Sequence, residues 1–121
     1  MVEVKVADGL TVGQVAEASG VAASAVRFYE QHGLISSVRT SGNQRRFGPD
    51  AACRVKVARV SQRIGLTVAE VAAVLAELPP DPTPADWGRV HDALVAEAEA
   101  RITALRIQLE LLSSGELLCR L

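Results

Sequence analysis

From Val95 to Leu112 the apolar positions Val95, Ala98, Ile102, Leu105, Leu109 and Leu112 advance by alternating steps of three and four residues. That is the seam of a heptad helix. The run is entered through LPPDPTP (78–84), whose four prolines break any preceding helix. Between Ala85 and Leu112 there is no proline and a single glycine, Gly88, while Glu97, Glu99, Arg101, Arg106 and Glu110 lie off the seam. A lone helix of this length is weak in water unless its stripe packs on something. The stripe therefore packs back on its own domain or pairs with the same helix of a second copy. A detached amphipathic helix behind a breaker calls for an external partner, so a homodimer is expected.

The first half of the chain reads differently. Thr11 can cap a helix in TVGQVAEASG (11–20), with Val12, Val15 and Ala16 on one face and Gly20 placed to end it in a left-handed turn. A second helix follows at once, about Ala22–His32, and stops at Gly33; two short helices across a glycine turn make a helix-turn-helix candidate. Small residues at Ala16, Gly20 and Ala25 let the pair cross closely. Val38-Arg39 and Arg46-Phe47 then flank Ser41-Gly42-Asn43, which is hairpin chemistry and predicts a two-stranded wing. A third helix is expected over about 50–64, with Val55, Ala58, Val60 and Ile64 as its apolar positions, and a fourth over 68–78, capped by Thr67.

The predicted architecture is mainly α: a winged helix-turn-helix DNA-binding domain with a helix-pair connector over 1–78, a Pro-rich linker over 79–84, a long antiparallel coiled-coil dimerisation helix over 85–113, and a short tail over 114–121.

Charge divides along the same line. The net charge of −1 conceals +4 over residues 1–65 (nine Lys/Arg, five acids) and −5 over 66–121 (four Arg, nine acids). A basic half beside an acidic half suggests that only the first half meets a polyanion, although chance clustering of solvated charge gives the same count. No stretch has the length and apolarity of a membrane span, and MVEVKVADGL lacks a secretory pattern. Cys53 and Cys119 make no disulfide framework, so a cytoplasmic location is expected. Ser/His/Asp groupings, phosphate loops and metal-ligand spacings are absent from the sequence, so an enzyme is not expected. His91 has no second ligand nearby, and no metal is assigned.

A recognition helix must offer side chains that reach base edges and phosphates. SAVRFYEQ (24–31) offers Ser24, Arg27, Tyr29 and Gln31. Arg27 is the best single candidate, able to grip a guanine edge or a phosphate. Phe28 and Tyr29 are adjacent and cannot both face the core; the sequence leaves open which one does. The wing supplies Asn43, Gln44, Arg45 and Arg46, suited to sugar-phosphate and minor-groove contacts.

The order of helix-turn-helix, VRFYEQHGLI (26–35), wing, helix pair and terminal helix resembles the MerR family. SGNQRRF (41–47), SQRIGL (61–66) and the spacing of Leu78, Pro79 and Trp87 resemble its redox-sensing SoxR branch in particular, over about residues 10–112. The resemblance implies a homodimer on a pseudo-palindromic promoter operator, with bending and untwisting of double-stranded DNA realigning the promoter for RNA polymerase. By position it implies DNA contacts from Ser24, Arg27, Tyr29, Asn43, Gln44 and Arg45.

That branch also holds a [2Fe–2S] cluster on four cysteines spaced C-x₂-C-x-C-x₅-C. Here Ser114 and Leu117 fall on the first two positions, Cys119 on the third, and the fourth lies beyond the chain. One thiol cannot hold the cluster, so no cofactor is expected. Cys53 reads as a small buried residue. The input is then absent, or Cys119 is a simple thiol switch, or a small-molecule effector binds near Trp87, which otherwise reads as a core anchor. The competing function is a dimerising interaction module, an anti-activator with little DNA binding of its own.

Overall fold

A computed structural model describes residues 9–120 of the chain. Helix α1 (Val12–Ser19) begins at a capping box: Thr11 Oγ1 accepts from the Gln14 amide at 3.1 Å, and Gln14 Oε1 accepts from the Thr11 amide at 2.9 Å. Gly20 ends the helix at φ 75°, returning its amide to the Ala16 carbonyl. Helix α2 (Ala23–Gln31) crosses α1 and stops at Gly33, φ 80°, where the Leu34 amide closes on the Tyr29 carbonyl at 3.0 Å.

Strands β1 (Ser37–Arg39) and β2 (Arg45–Phe47) pair antiparallel with Val38 opposite Arg46 and Arg39 opposite Arg45. The tip is held by Thr40, whose Oγ1 accepts from the Gly42 and Gln44 amides, and Asn43 takes the left-handed conformation at φ 64°. Phe47 exchanges both backbone hydrogen bonds with Leu10, which ties the wing to the segment before α1.

Helix α3 (Ala51–Arg63) and helix α4 (Val68–Ala76) complete the head. Its core joins Val15, Val26, Tyr29, Leu34, Ile35 and Phe47 to Ala51, Val55, Ala58, Leu66, Val71 and Leu75. On α3 the buried positions are Ala51, Val55, Ala58 and Ser61. Val60, expected among the apolar positions, is 49% exposed. The helical period from Val55 and Ala58 turns position 61, not 60, inward, and Ser61 hides its hydroxyl by donating to the Val57 carbonyl at 2.7 Å.

The long helix α5 (Pro84–Leu112) starts on a capping box of Thr83 with Asp86, as α4 does on Thr67 with Glu70, and has proline at its first position. Val90 is buried, and Trp87 and Leu94 pack half-buried on the core. Beyond them the helix leaves the head: Val95 is 42% exposed, Ile102 49%, Leu105 68%, Leu109 62% and Leu112 58%, with Ala98 half-buried. The seam does not pack back on its own domain. A single 3₁₀ turn (Leu118–Arg120) follows. No helix among the described residues is long and apolar enough to cross a membrane.

Candidate nucleic-acid interface

The α2 helix divides its side chains by period. Val26 and Tyr29 point inward; Ser24, Arg27, Phe28 and Gln31 are exposed. Of the aromatic pair, Tyr29 is the core residue, 7% exposed, while Phe28 is 40% exposed and stacked on His32 at 4.2 Å between ring centres. The Tyr29 hydroxyl donates to Gln62 Oε1 at 2.7 Å, joining α2 to α3. Tyr29 is thus a core residue whose hydroxyl is engaged by Gln62.

Glu30 locks the wing to the same helix. It accepts from the Ser37 hydroxyl and pairs with Arg45 Nε at 3.1 Å. The pair leaves the Arg45 side chain 37% exposed, with Arg27, Glu30, Gln31 and Arg45 lining one open cleft between α2 and the wing. Arg39 lies opposite Arg45 in the ladder, so both arise on the same face of the hairpin, and Arg39 Nη1 donates to the Asn43 carbonyl at 3.0 Å. Arg46 is half-buried; its guanidinium donates to the Arg45 carbonyl and to Gln44 Oε1. Asn43 and Gln44 are exposed at the tip. These contacts use only part of each guanidinium's five donors and hold the remainder in place. From behind, Arg59 of α3 donates to the Ser19 and Gly20 carbonyls at 3.4 and 3.5 Å, bracing the turn between α1 and α2.

A second cleft, of about 640 Å³, opens at the wing's base against the start of α3 and the Pro-rich segment. Its lining includes Ile35, Asp50, Cys53, Arg54, Asp81 and Trp87. Trp87 is thus both a core contact and a cleft wall. Cys53 corrects the expectation of a buried thiol: it is exposed, because the period that buries Ala51 and Val55 turns position 53 outward. Partial desolvation, with Asp50 nearby, pushes its thiol pKa up. Cys119 is exposed in the 3₁₀ turn.

Three residues of the tail fall on positions of the four-thiolate motif. The Ser114 hydroxyl donates to the Leu111 carbonyl at 2.7 Å, Leu117 has no donor atom, and Cys119 is the one thiol at the three positions present. Among the described residues no group of three or more His, Cys, Asp or Glu could hold a metal ion.

The family pattern of MerR family regulatory proteins matches residues 11–47. The chain is 45% identical over 98 residues to the HTH-type transcriptional activator SoxR homolog of Chromobacterium violaceum, covering 79% of this chain and 66% of that protein. It is 36% identical over 69 residues to the mercuric resistance operon regulatory protein of Shigella flexneri, covering 56% of this chain and 48% of that one. The chain spans just under two thirds of the first relative's length and about half of the second's. In structure it is similar to a MerR-family protein from Listeria monocytogenes, with TM-score 0.59 and 27% identity over 87% of this chain and 81% of that one. HiNmlR, a MerR family regulator lacking the sensor domain and solved bound to promoter DNA, shares the fold at TM-score 0.56 and 21% identity, covering 86% of this chain and 84% of that one. The matched stretch contains α1, α2 and both strands of the wing, and this chain belongs to the MerR family.

Proposed function

We propose that the chain is a sequence-specific DNA-binding transcription regulator that acts as a homodimer on a pseudo-palindromic promoter operator. The observation that carries the reading is the cleft between α2 and the wing, where Arg27 from the helix and Arg45 from β2 flank one opening. A helix and a hairpin held together by Glu30 present cations at two heights, one suited to base edges and one to the flanking backbone. Ser24, Gln44 and Asn43 extend this surface, Arg46 flanks it from the other face of the hairpin beside Gln44, and Tyr29 contributes through its hydroxyl. The exposed seam of α5 supplies the dimer, which sets the spacing of two half-sites. Control by bending and untwisting the promoter, with RNA polymerase as the reader of the realigned elements, completes the proposal. No iron-sulfur cluster forms part of it. The cleft beside Trp87 and the exposed Cys119 are the candidate entry points for an effector signal.

The test is selection of a duplex from a random library, followed by fluorescence anisotropy. Arg27→Ala is expected to weaken the selected site by about 1–3 kcal/mol and relax preference at one base position. A chain that selects no duplex, as a pure interaction module would not, overturns the reading. So does unchanged affinity in both Arg27→Ala and Arg45→Ala.

A further inference from the structure

Arg101 reads in the sequence as one more solvated charge off the seam. In the fold its guanidinium spans three elements. Nη1 donates to the Gly65 carbonyl at 2.7 Å, Nε donates to Glu97 Oε2 at 3.0 Å, and Nη2 lies 3.6 Å from Glu70 Oε1. Gly65 is the turn between α3 and α4, and Glu70 belongs to the capping box that starts α4. Arg101 stands two turns beyond Leu94, roughly 10 Å along the axis. Every α5 residue after it, from Ile102 to Leu112, is exposed. Near the axle of the long arm, then, one side chain reaches back to the head.

Gly65 makes that reach possible. Its φ is +99°, and a Cβ built there would lie 2.7 Å from Arg101 Nη1. The guanidinium occupies the room that the glycine leaves. The same turn leads directly to the DNA side. Gln62, three residues earlier, accepts the Tyr29 hydroxyl of the recognition helix at 2.7 Å, and Leu66, one residue later, is in the core. A rigid fork that donates to a carbonyl and one carboxylate, with a second carboxylate in ion-pair range, fixes direction in a way that an apolar contact does not.

We infer that Arg101 is a positioning residue that sets the angle between the dimer arm and the head, and through Gly65 and Gln62 the placement of the recognition helix over its half-site. The half-site consequence rests on the DNA-binding reading; the arm angle does not. The experiment separates them. In the Cys119→Ser, Ala104→Cys chain, nitroxides at positions 53 and 104 report the head-to-arm distance by pulsed EPR, diluted with unlabelled chain. Arg101→Ala is expected to widen the distance distribution about twofold. Arg101→Lys, which keeps the charge and loses the fork, is expected to fall between. Gly65→Ala displaces the guanidinium from the other side and is expected to widen it as well. An unchanged width in Arg101→Ala overturns the inference. On DNA, Arg101→Ala is expected to lose about tenfold on a duplex with two half-sites and nothing on a single half-site. Equal loss on both assigns Arg101 to the head alone and overturns the positioning role. A widened distribution in a protein that selects no duplex upholds the arm angle and overturns the DNA-binding reading.

Discussion

Replacing Leu105 with aspartate places two carboxylates in the centre of the proposed dimer seam, one from each copy. Leu105 is 68% exposed in the single chain, so that fraction of its surface is what a partner covers. Two thirds of a buried leucine is worth about 1.5 kcal/mol, or about 3 kcal/mol for both copies. Burying a carboxylate beside Ile102 and Leu109 adds about 1 kcal/mol or more per copy. The total, about 5 kcal/mol, raises the dimer dissociation constant between about 10³- and 10⁴-fold. The head should be untouched, since Leu105 takes no part in its core. Sedimentation velocity across a micromolar concentration series is the assay, with circular dichroism to confirm folding. The wild type is expected at twice its 12.8 kDa chain mass and Leu105→Asp at the chain mass. Ala104→Asp, exposed and off the seam, should remain a dimer. A folded Leu105→Asp protein that sediments as the wild type does refutes the seam assignment.

Two more outcomes follow from the head and the arm. Tyr29→Phe deletes the bond to Gln62 and should cost about 1 kcal/mol, read as a fall in Tm of about 4 °C, while leaving the affinity for DNA unchanged if the hydroxyl only positions α2. Weaker DNA binding by a folded Tyr29→Phe protein would instead make the neutral hydroxyl a DNA contact. Asp86 and Glu70 are held below their ordinary pKa, in each case first by the backbone amide of the threonine they cap, Thr83 and Thr67. A carboxylate with a lowered folded pKa contributes fully above its unfolded pKa, and the contribution is lost as pH falls through the folded value. Thermal stability should therefore drop below the usual carboxylate range, and Asp86→Asn should flatten that drop; a variant as acid-sensitive as the wild type would clear Asp86 of the role.

The features legible in the sequence are those whose cause is local. Thr11, Thr67 and Gly20 announce helix ends through their own chemistry, and all three act as read. The hairpin follows from Ser41-Gly42-Asn43, and the exposed seam from its heptad step. What was not legible depends on phase or on distant partners. Neighbours on a helix point about 100° apart, so two adjacent aromatics cannot be sorted until Val26 fixes which side of α2 is buried. Cys53 reads as buried from its residue type and Val60 from its apolar character, yet the helical phase of α3 turns both outward. Ser19 and Ser61 look polar, yet each donates to the carbonyl four residues back and packs as a small core residue. The ties Glu30–Arg45 and Arg101–Gly65 join segments far apart in sequence, and no spacing rule points to either.

The central claim is that the basic face of α2 and the wing binds duplex DNA twice over. The measurement that meets it most directly is the salt dependence of binding to a selected palindromic duplex. Arg39, Arg45 and Arg46 of two heads, if each neutralises one phosphate while Arg27 reads a base edge, give a slope of log K against log salt of about −5. A steep slope near that value, with unrelated duplex bound far more weakly, is the expected result. A slope near zero, or equal affinity for any duplex, would contradict the account.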